Sequence, residues 1–167
     1  GYLNPIELMG YEEFTKEVSK ADVDGVLVVD MPPAESFDLR QRLRDVDIDT
    51  IFLVAPTTGI ERAKLITEVC SGYLYYVSLK GVTGGALIDR NAIRTRVSEL
   101  RTLTELPVVI GFGIKDVDSV LKMSDMSDGV IIGSALVSEI GKLSVTGDET
   151  SEDVAAATKL IRDARDA

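Results

Sequence analysis

Apolar residues along this chain gather in five short runs, Gly25–Val29 (GVLVV), Thr50–Val54 (TIFLV), Tyr73–Val77 (YLYYV), Pro107–Ile110 (PVVI) and Gly129–Ile132 (GVII), each bounded by polar or turn-forming residues. The runs are too short for helices and continuous rather than alternating, which predicts strands of a parallel sheet covered by helices on both faces or of a barrel surrounded by them. Between them, apolar residues recur at three- and four-residue spacing and predict helices over Tyr11–Lys20, Ala34–Arg44, Ile60–Cys70, Asn91–Leu103 and Asp116–Met123. The strand starts, at residues 25, 50, 73, 107 and 129, mark one βα unit each, with a single enlarged connection from Ser78 to Arg90 that carries Gly81, Gly84 and Gly85. A connection of that length is more often functional than decorative. Residues 144–152 form a polar linker, and Val154, Ala157, Leu160, Ile161 and Ala164 give 153–166 the spacing of one closing amphipathic helix. Pro5 fits a turn, and the chain reads as opening at the C-terminal tip of a strand.

The 167 residues are read as a single domain, 45% hydrophobic and rich enough in apolar residues to bury one core. A complete (β/α)₈ barrel takes about 250 residues, so five units fit either a five-stranded doubly wound domain or part of a barrel. The net charge of −10 excludes nucleic acid as a main partner. Cys70 is the only cysteine and histidine is absent, which removes disulfide frameworks, Cys/His zinc sites and triads built on a His base. Acid–base work must then come from carboxylates, Tyr or Lys. No apolar run approaches the roughly 20 residues of a membrane span, and the first ten residues lack the pattern of a secretory leader, so a cytoplasmic setting is expected.

In parallel α/β proteins ligands gather at the C-terminal ends of the strands. Glycines there, in Gly111-Phe112-Gly113 and at Gly133 before Ser134, together with Gly84 in the long loop, leave backbone N–H groups uncovered, and a short helix starting at Ser134 adds its positive end. Together they describe a cup for a phosphate ester held by neutral peptide donors, which reconciles such a ligand with an acidic chain. Leu27, Leu53, Tyr75 and Phe112 would line an apolar slot beside it, with ordinary core packing as the plain alternative. Lys80 and Thr83 would reach the ligand from the long loop. Asp30 directly follows a strand, but a lone carboxylate does not supply both a general acid and a general base. Cys70 is most simply a small buried apolar residue.

Taken in order, Tyr2-Leu3-Asn4-Pro5, Asp30-Met31-Pro32-Pro33, Ala55-Pro56-Thr57-Thr58, Tyr73 through Gly84, Gly111-Phe112-Gly113-Ile114 and Gly133-Ser134-Ala135 closely resemble the tryptophan synthase alpha subunit family. The likeness runs from Tyr2 to about Leu143, and the closing helix fits by position only. The resemblance implies an α/β fold, a partial (β/α)₈ TIM barrel of about five βα units plus a closing helix. It implies a parent lyase that cleaves indole-3-glycerol phosphate to indole and glyceraldehyde 3-phosphate. No cofactor belongs to this chain or metal to its site; pyridoxal phosphate is expected only in the partner beta subunit of an α2β2 assembly. Carried over by position, Gly84, Gly113, Gly133 and Ser134 would bind the substrate phosphate. Leu27, Leu53, Tyr75, Phe112 and Ile131 would line the indole pocket. Gly81 and Thr83 would sit on the closing loop, and Asn4, Asp30, Pro32 and Pro56 would face the beta subunit.

Two departures matter. Leu79 stands where the family often has Arg. The family's catalytic Glu, at the end of the second strand, and Asp, on the loop that follows, fall before Gly1, so the chain alone is expected to be inactive. Other readings are another phosphate-binding isomerase or aldolase barrel, a receiver-like signalling domain, and a non-catalytic fragment that reassembles with a missing half or a second copy.

Overall fold

Each of the five apolar runs forms a strand, and the computed structural model describes residues 1–78, 89–111, 113–143 and 150–166. The strands are β1 (Gly25–Leu27), β2 (Asp49–Val54), β3 (Leu74–Val77), β4 (Val108–Gly111) and β5 (Gly129–Ile131). They lie in the order β1-β2-β3-β4-β5, every neighbouring pair parallel. A doubly wound domain reverses direction at a switch point; this sheet never does. Each crossover runs the same way, so the helices collect on one face, as in an arc of a barrel.

Those helices are α1 (Leu3–Met9), α2 (Tyr11–Lys20), α3 (Phe37–Arg44), α4 (Ile60–Val69), α5 (Arg90–Arg101), α6 (Val117–Ser124), α7 (Ser134–Ile140), α8 (Ser151–Ala157) and α9 (Lys159–Arg165). Among the described residues no helix is long and apolar enough to cross a membrane. The helix-facing side of the sheet carries Phe52, Val54, Leu74, Tyr76, Val108 and Ile110, all buried against Ala63 and Ile66 of α4, Ile93, Val97 and Leu100 of α5, and Val120 and Met123 of α6. Val26, Leu39, Leu43 and Ile6 form a second cluster where α1, α2 and α3 cover β1. Burying a Leu or Val fully is worth about 1.5–3 kcal/mol, so these rows hold the helices to the sheet.

The opposite face is only half-buried at Leu27, Leu53, Tyr75, Val77, Val109 and Ile131. The strands are therefore covered by helices on one face only, the barrel arrangement of the two that the apolar runs allow. The apolar runs read as continuous because the second face is also apolar.

Local chemistry explains the other departures. Pro5 does not mark a turn but lies in the first turn of α1, where its missing N–H is no loss. The Leu3 N–H is instead taken by the Asp30 carboxylate at 2.8 Å. The helix read over Ala34–Arg44 splits into a 3₁₀ turn at Pro33–Glu35 and α3, with buried Ser36 between them donating its hydroxyl to the Pro33 carbonyl at 2.7 Å. The single closing helix read over 153–166 is instead two, α8 and α9. Thr150 caps α8 through a reciprocal pair with Asp153, and Thr158 at the break donates its hydroxyl to the Val154 carbonyl.

Gly1 extends the sheet beside β1, its amine donating to the Leu27 carbonyl at 2.6 Å and its carbonyl accepting from Val29 N–H at 3.0 Å.

Candidate functional site

The register of the sheet decides which predicted pocket residues can meet. Leu27 pairs with Ile51, two residues before Leu53, and Leu53, Tyr75, Val109 and Gly129 stand in one row across β2 to β5. Val77, Gly111 and Ile131 form the next row toward the C-terminal rim. Side chains alternate faces along a strand, so Leu27, Leu53, Tyr75 and Ile131 all point away from the helices into the same hollow. Ile51, Val77 and Val109 share that face and were missed by the sequence reading; counting in twos from Leu53 and Tyr75 would have found them.

Gly111, the first glycine of the Gly111-Phe112-Gly113 motif, is the last residue of β4. A Cβ built on it would lie 2.0 Å from the Tyr75 hydroxyl oxygen and 2.4 Å from the ring carbon bearing it. The absent side chain is what lets the Tyr75 ring lie across β4. The phenol makes no hydrogen bond among the described residues, and burial raises its pKa, with Tyr73 adding to the rise. It enters the hollow protonated, as a donor.

The C-terminal ends of β4 and β5 are followed by two glycines among the described residues. Gly113 has φ of +71° and Gly133 precedes α7; a Cβ on either would meet nothing within 4 Å. No side chain caps α7, and Ser134 is exposed beside it. The backbone N–H groups there remain open to an anion. Gly81, Thr83, Gly84 and Phe112, with Lys80 and part of the 144–152 linker, lie outside the described residues.

Among the described residues, one carboxylate after each of β1, β3 and β4 serves as a helix cap. Asp30 accepts from Leu3 N–H, Asp89 from Asn91 and Ala92 N–H at 3.1 Å each, and Asp116 from Ser119 N–H at 2.7 Å. The Ser119 hydroxyl and N–H hold the Asp116 carboxyl below its ordinary range. With their oxygens taken by backbone N–H groups, none of the three is placed as a general acid should be. Cys70 lies at the other end of the sheet. Its thiol donates to the Tyr73 carbonyl at 3.1 Å, and burial pushes its pKa up to about 11, so it is not a nucleophile. Among the described residues no group of three or more His, Cys, Asp or Glu side chains could hold a metal ion.

Asn4 and Asp30 are neighbours through the Leu3–Asp30 bond, Pro32 follows on the same rim, and Pro56 is exposed at the end of β2. The Pro56 turn is closed by Thr58 N–H donating to the Ala55 carbonyl and Ala55 N–H donating to the Thr58 hydroxyl, each at 3.0 Å. Arg96 of α5 ties it from outside by donating to the Thr58 carbonyl, while its other arm pairs with Glu99 at 2.8 Å.

These features define a parallel β/α half-barrel whose apolar hollow and open backbone donors lie at the C-terminal rim. Residues 1–166 match the tryptophan synthase alpha chain family, and this chain belongs to that family. It is 51% identical over 142 residues to the tryptophan synthase alpha chain of Thioalkalivibrio sulfidiphilus, covering 85% of this chain and 53% of that one. The crystal structure of tryptophan synthase subunit alpha from Legionella pneumophila str. Paris superposes with a TM-score of 0.80 at 33% identity, over 99% of this chain and 60% of that one. A structure of the tryptophan synthase α2β2 complex from Pyrococcus furiosus matches with a TM-score of 0.76 at 33% identity, over 96% of this chain and 64% of its counterpart. The chain thus spans between half and two-thirds of the length of these relatives, its five strands following the arc of their barrel.

Proposed function

We propose that this chain forms the substrate-phosphate and indole-facing portion of a tryptophan synthase alpha subunit, a cytoplasmic lyase that cleaves indole-3-glycerol phosphate to indole and glyceraldehyde 3-phosphate. The observation that carries this reading is the shared face of Leu27, Leu53, Tyr75 and Ile131, flanked at β4 and β5 by the open glycines Gly113 and Gly133. A flat apolar ring fits the hollow, and a phosphate at its end meets peptide N–H groups. The family supplies the substrate class. Phe112 would complete the ring pocket, Gly84 and Ser134 the phosphate contacts, and the segment carrying Gly81 and Thr83 would close over both.

Cleavage breaks the bond from indole C3 to the glycerol carbon; C3 must gain a proton and the glycerol hydroxyl must lose one. Asp30, Asp89 and Asp116 are committed as caps, so this chain's described rim contributes binding and orientation rather than proton transfer. The rim carrying exposed Asn4, Asp30 and Pro56, with half-buried Pro32, would face a beta subunit, a partner in keeping with the α2β2 assembly of the Pyrococcus relative.

Calorimetric titration with glyceraldehyde 3-phosphate and an indole-propanol phosphate, alongside an assay for released indole, tests this reading. Both ligands should bind and no indole should appear. Replacing Gly113 by Val should weaken both by about tenfold, since a β-branched residue is strained at positive φ and its side chain enters the anion's space. If neither ligand binds, or if Gly113→Val leaves affinity unchanged, the phosphate assignment fails. Indole release would show that the chain carries an acid and a base of its own, against the binding-only role proposed for its rim.

A further inference from the structure

The sheet splits at one place. β1 and β2 pair only as far as Leu27 and Ile51, whereas β2 goes on to pair with β3 through Val54. Beyond Leu27 the chain turns to the N-terminal segment instead, bonding to Gly1 and, through Asp30, to Leu3. The parting strands leave a cleft of about 270 Å³, with Val28, Val29 and Met31 on one wall and Phe52 and Leu53 on the other. Two polar side chains line it, Thr58 and Arg62.

Both are available to a ligand. Arg62 takes part in no ion pair or hydrogen bond among the described residues, although the chain carries ten more negative than positive charges. It is exposed while lining the cleft, so its guanidinium stands at the opening. The Thr58 hydroxyl accepts from Ala55 N–H, which leaves its own hydrogen free to donate. One guanidinium and one hydroxyl over an apolar slot match a single carboxylate on an apolar body, because Arg engages a carboxylate through two parallel bonds. Size agrees: an apolar cavity of roughly 150 Å³ admits benzene, so this cleft has room for one ring and a short acid arm.

We propose that the cleft between β1 and β2 binds a small monocarboxylic acid with a single-ring or branched apolar body, its carboxylate held by Arg62 and Thr58. The site lies away from the glycine cup, which is at β4 and β5 with β3 between; its inner wall, Leu53 and Val77, belongs to the hollow proposed for the indole ring, and Arg62 and Thr58 are what set the two ligands apart, so loss of binding in Arg62→Gln tests this site and not the cup.

The test is an amide-resolved NMR titration of the ¹⁵N-labelled chain with phenylacetate, up to concentrations on the order of 10 mM. Saturable shifts are expected at Val28, Val29, Leu53 and Thr58. The neutral isostere phenylacetamide should bind about tenfold more weakly or worse, as should phenylacetate to Arg62→Gln, a surface change that leaves the fold intact. Val29→Phe, which fills the slot from an exposed wall position, should abolish the shifts. The proposal is overturned if the shifts do not saturate, if the amide or Arg62→Gln binds as well, or if the shifts gather at Gly113 and Gly133.

Discussion

At the scale of single residues the hollow depends on a contact that one missing methyl permits. Any side chain at Gly111 would occupy the space of the Tyr75 phenol, whose ring carbons come within 2.4 Å of the Cβ position. Gly111→Ala should therefore lower unfolding stability by about 1–3 kcal/mol, the usual cost of overpacking. The same substitution made in a Tyr75→Ala background should cost far less, and that non-additivity, read from urea unfolding of the two single variants and the double, is the decisive measurement. Equal costs in both backgrounds would mean that Tyr75 does not lie over β4. That Tyr75 shares a face with Leu53 was legible in the sequence, because residues along a strand alternate between the two faces. Gly111 was not, because a glycine after an apolar run looks the same whether it makes room for a turn or for a neighbour's ring. Nor did Asp30 reveal its capping role, since its partner Leu3 is 27 positions away.

Elements are joined by a few polar staples as well as by the apolar rows. Asp128, just before β5, accepts two bonds from Arg101 at the end of α5, at 2.7 and 3.3 Å, and one from Val108 N–H at the start of β4, at 2.8 Å. One carboxylate thus registers a helix and two strands at the end of the sheet away from the rim. The Arg101 bonds foremost, then the Val108 N–H, hold its pKa below the ordinary carboxylate value. A folded value below the unfolded one, about 3.9, means that the stabilisation is present in full above that pH and is lost as pH falls through the folded value. Arg101 and Asp128 are 43% and 40% exposed, so solvent screening keeps the ion pair below about 1 kcal/mol. Asp128→Asn, which keeps an acceptor for Val108 but loses the ion pair, should be less stable than the parent at pH 7 and should converge with it below about pH 4. Denaturation curves at several pH values measure this; a gap that persists into acid would place the effect elsewhere. The places of the five strands and of the helices between them were legible in the sequence because hydrophobic period reports them directly, whereas the spatial order of the strands was not, since a doubly wound sheet and a barrel arc share the same alternation. The two-part closing helix was not, because α8 and α9 share one apolar spacing and only the hydroxyl of Thr158 marks the break.

For the whole molecule the two ends of the sheet differ. At β1 the edge is partly met by Gly1, and α1 and α2 pack beside it. Among the described residues the β5 edge has β4 on one side only, and Val137 and Ile140 of α7, with Val154 of α8, stay exposed among the helices that follow it. An unpaired strand beside an apolar helix face favours pairing with another chain. The charge of −10 opposes that when the partner is a second copy, since each copy repels the other over a distance set by ionic strength. Salt shortens that distance to about 3 Å at 1 M while leaving apolar contact intact. The mass of the chain in sedimentation equilibrium should therefore rise from that of a monomer in dilute buffer toward a dimer as sodium chloride increases, and Val137→Lys should suppress the rise at every salt concentration. A monomer throughout would show that the β5 end is already satisfied. A mass that fell with salt would mean that charge pairing rather than apolar contact brings the copies together, and the balance of forces argued for this edge would be reversed.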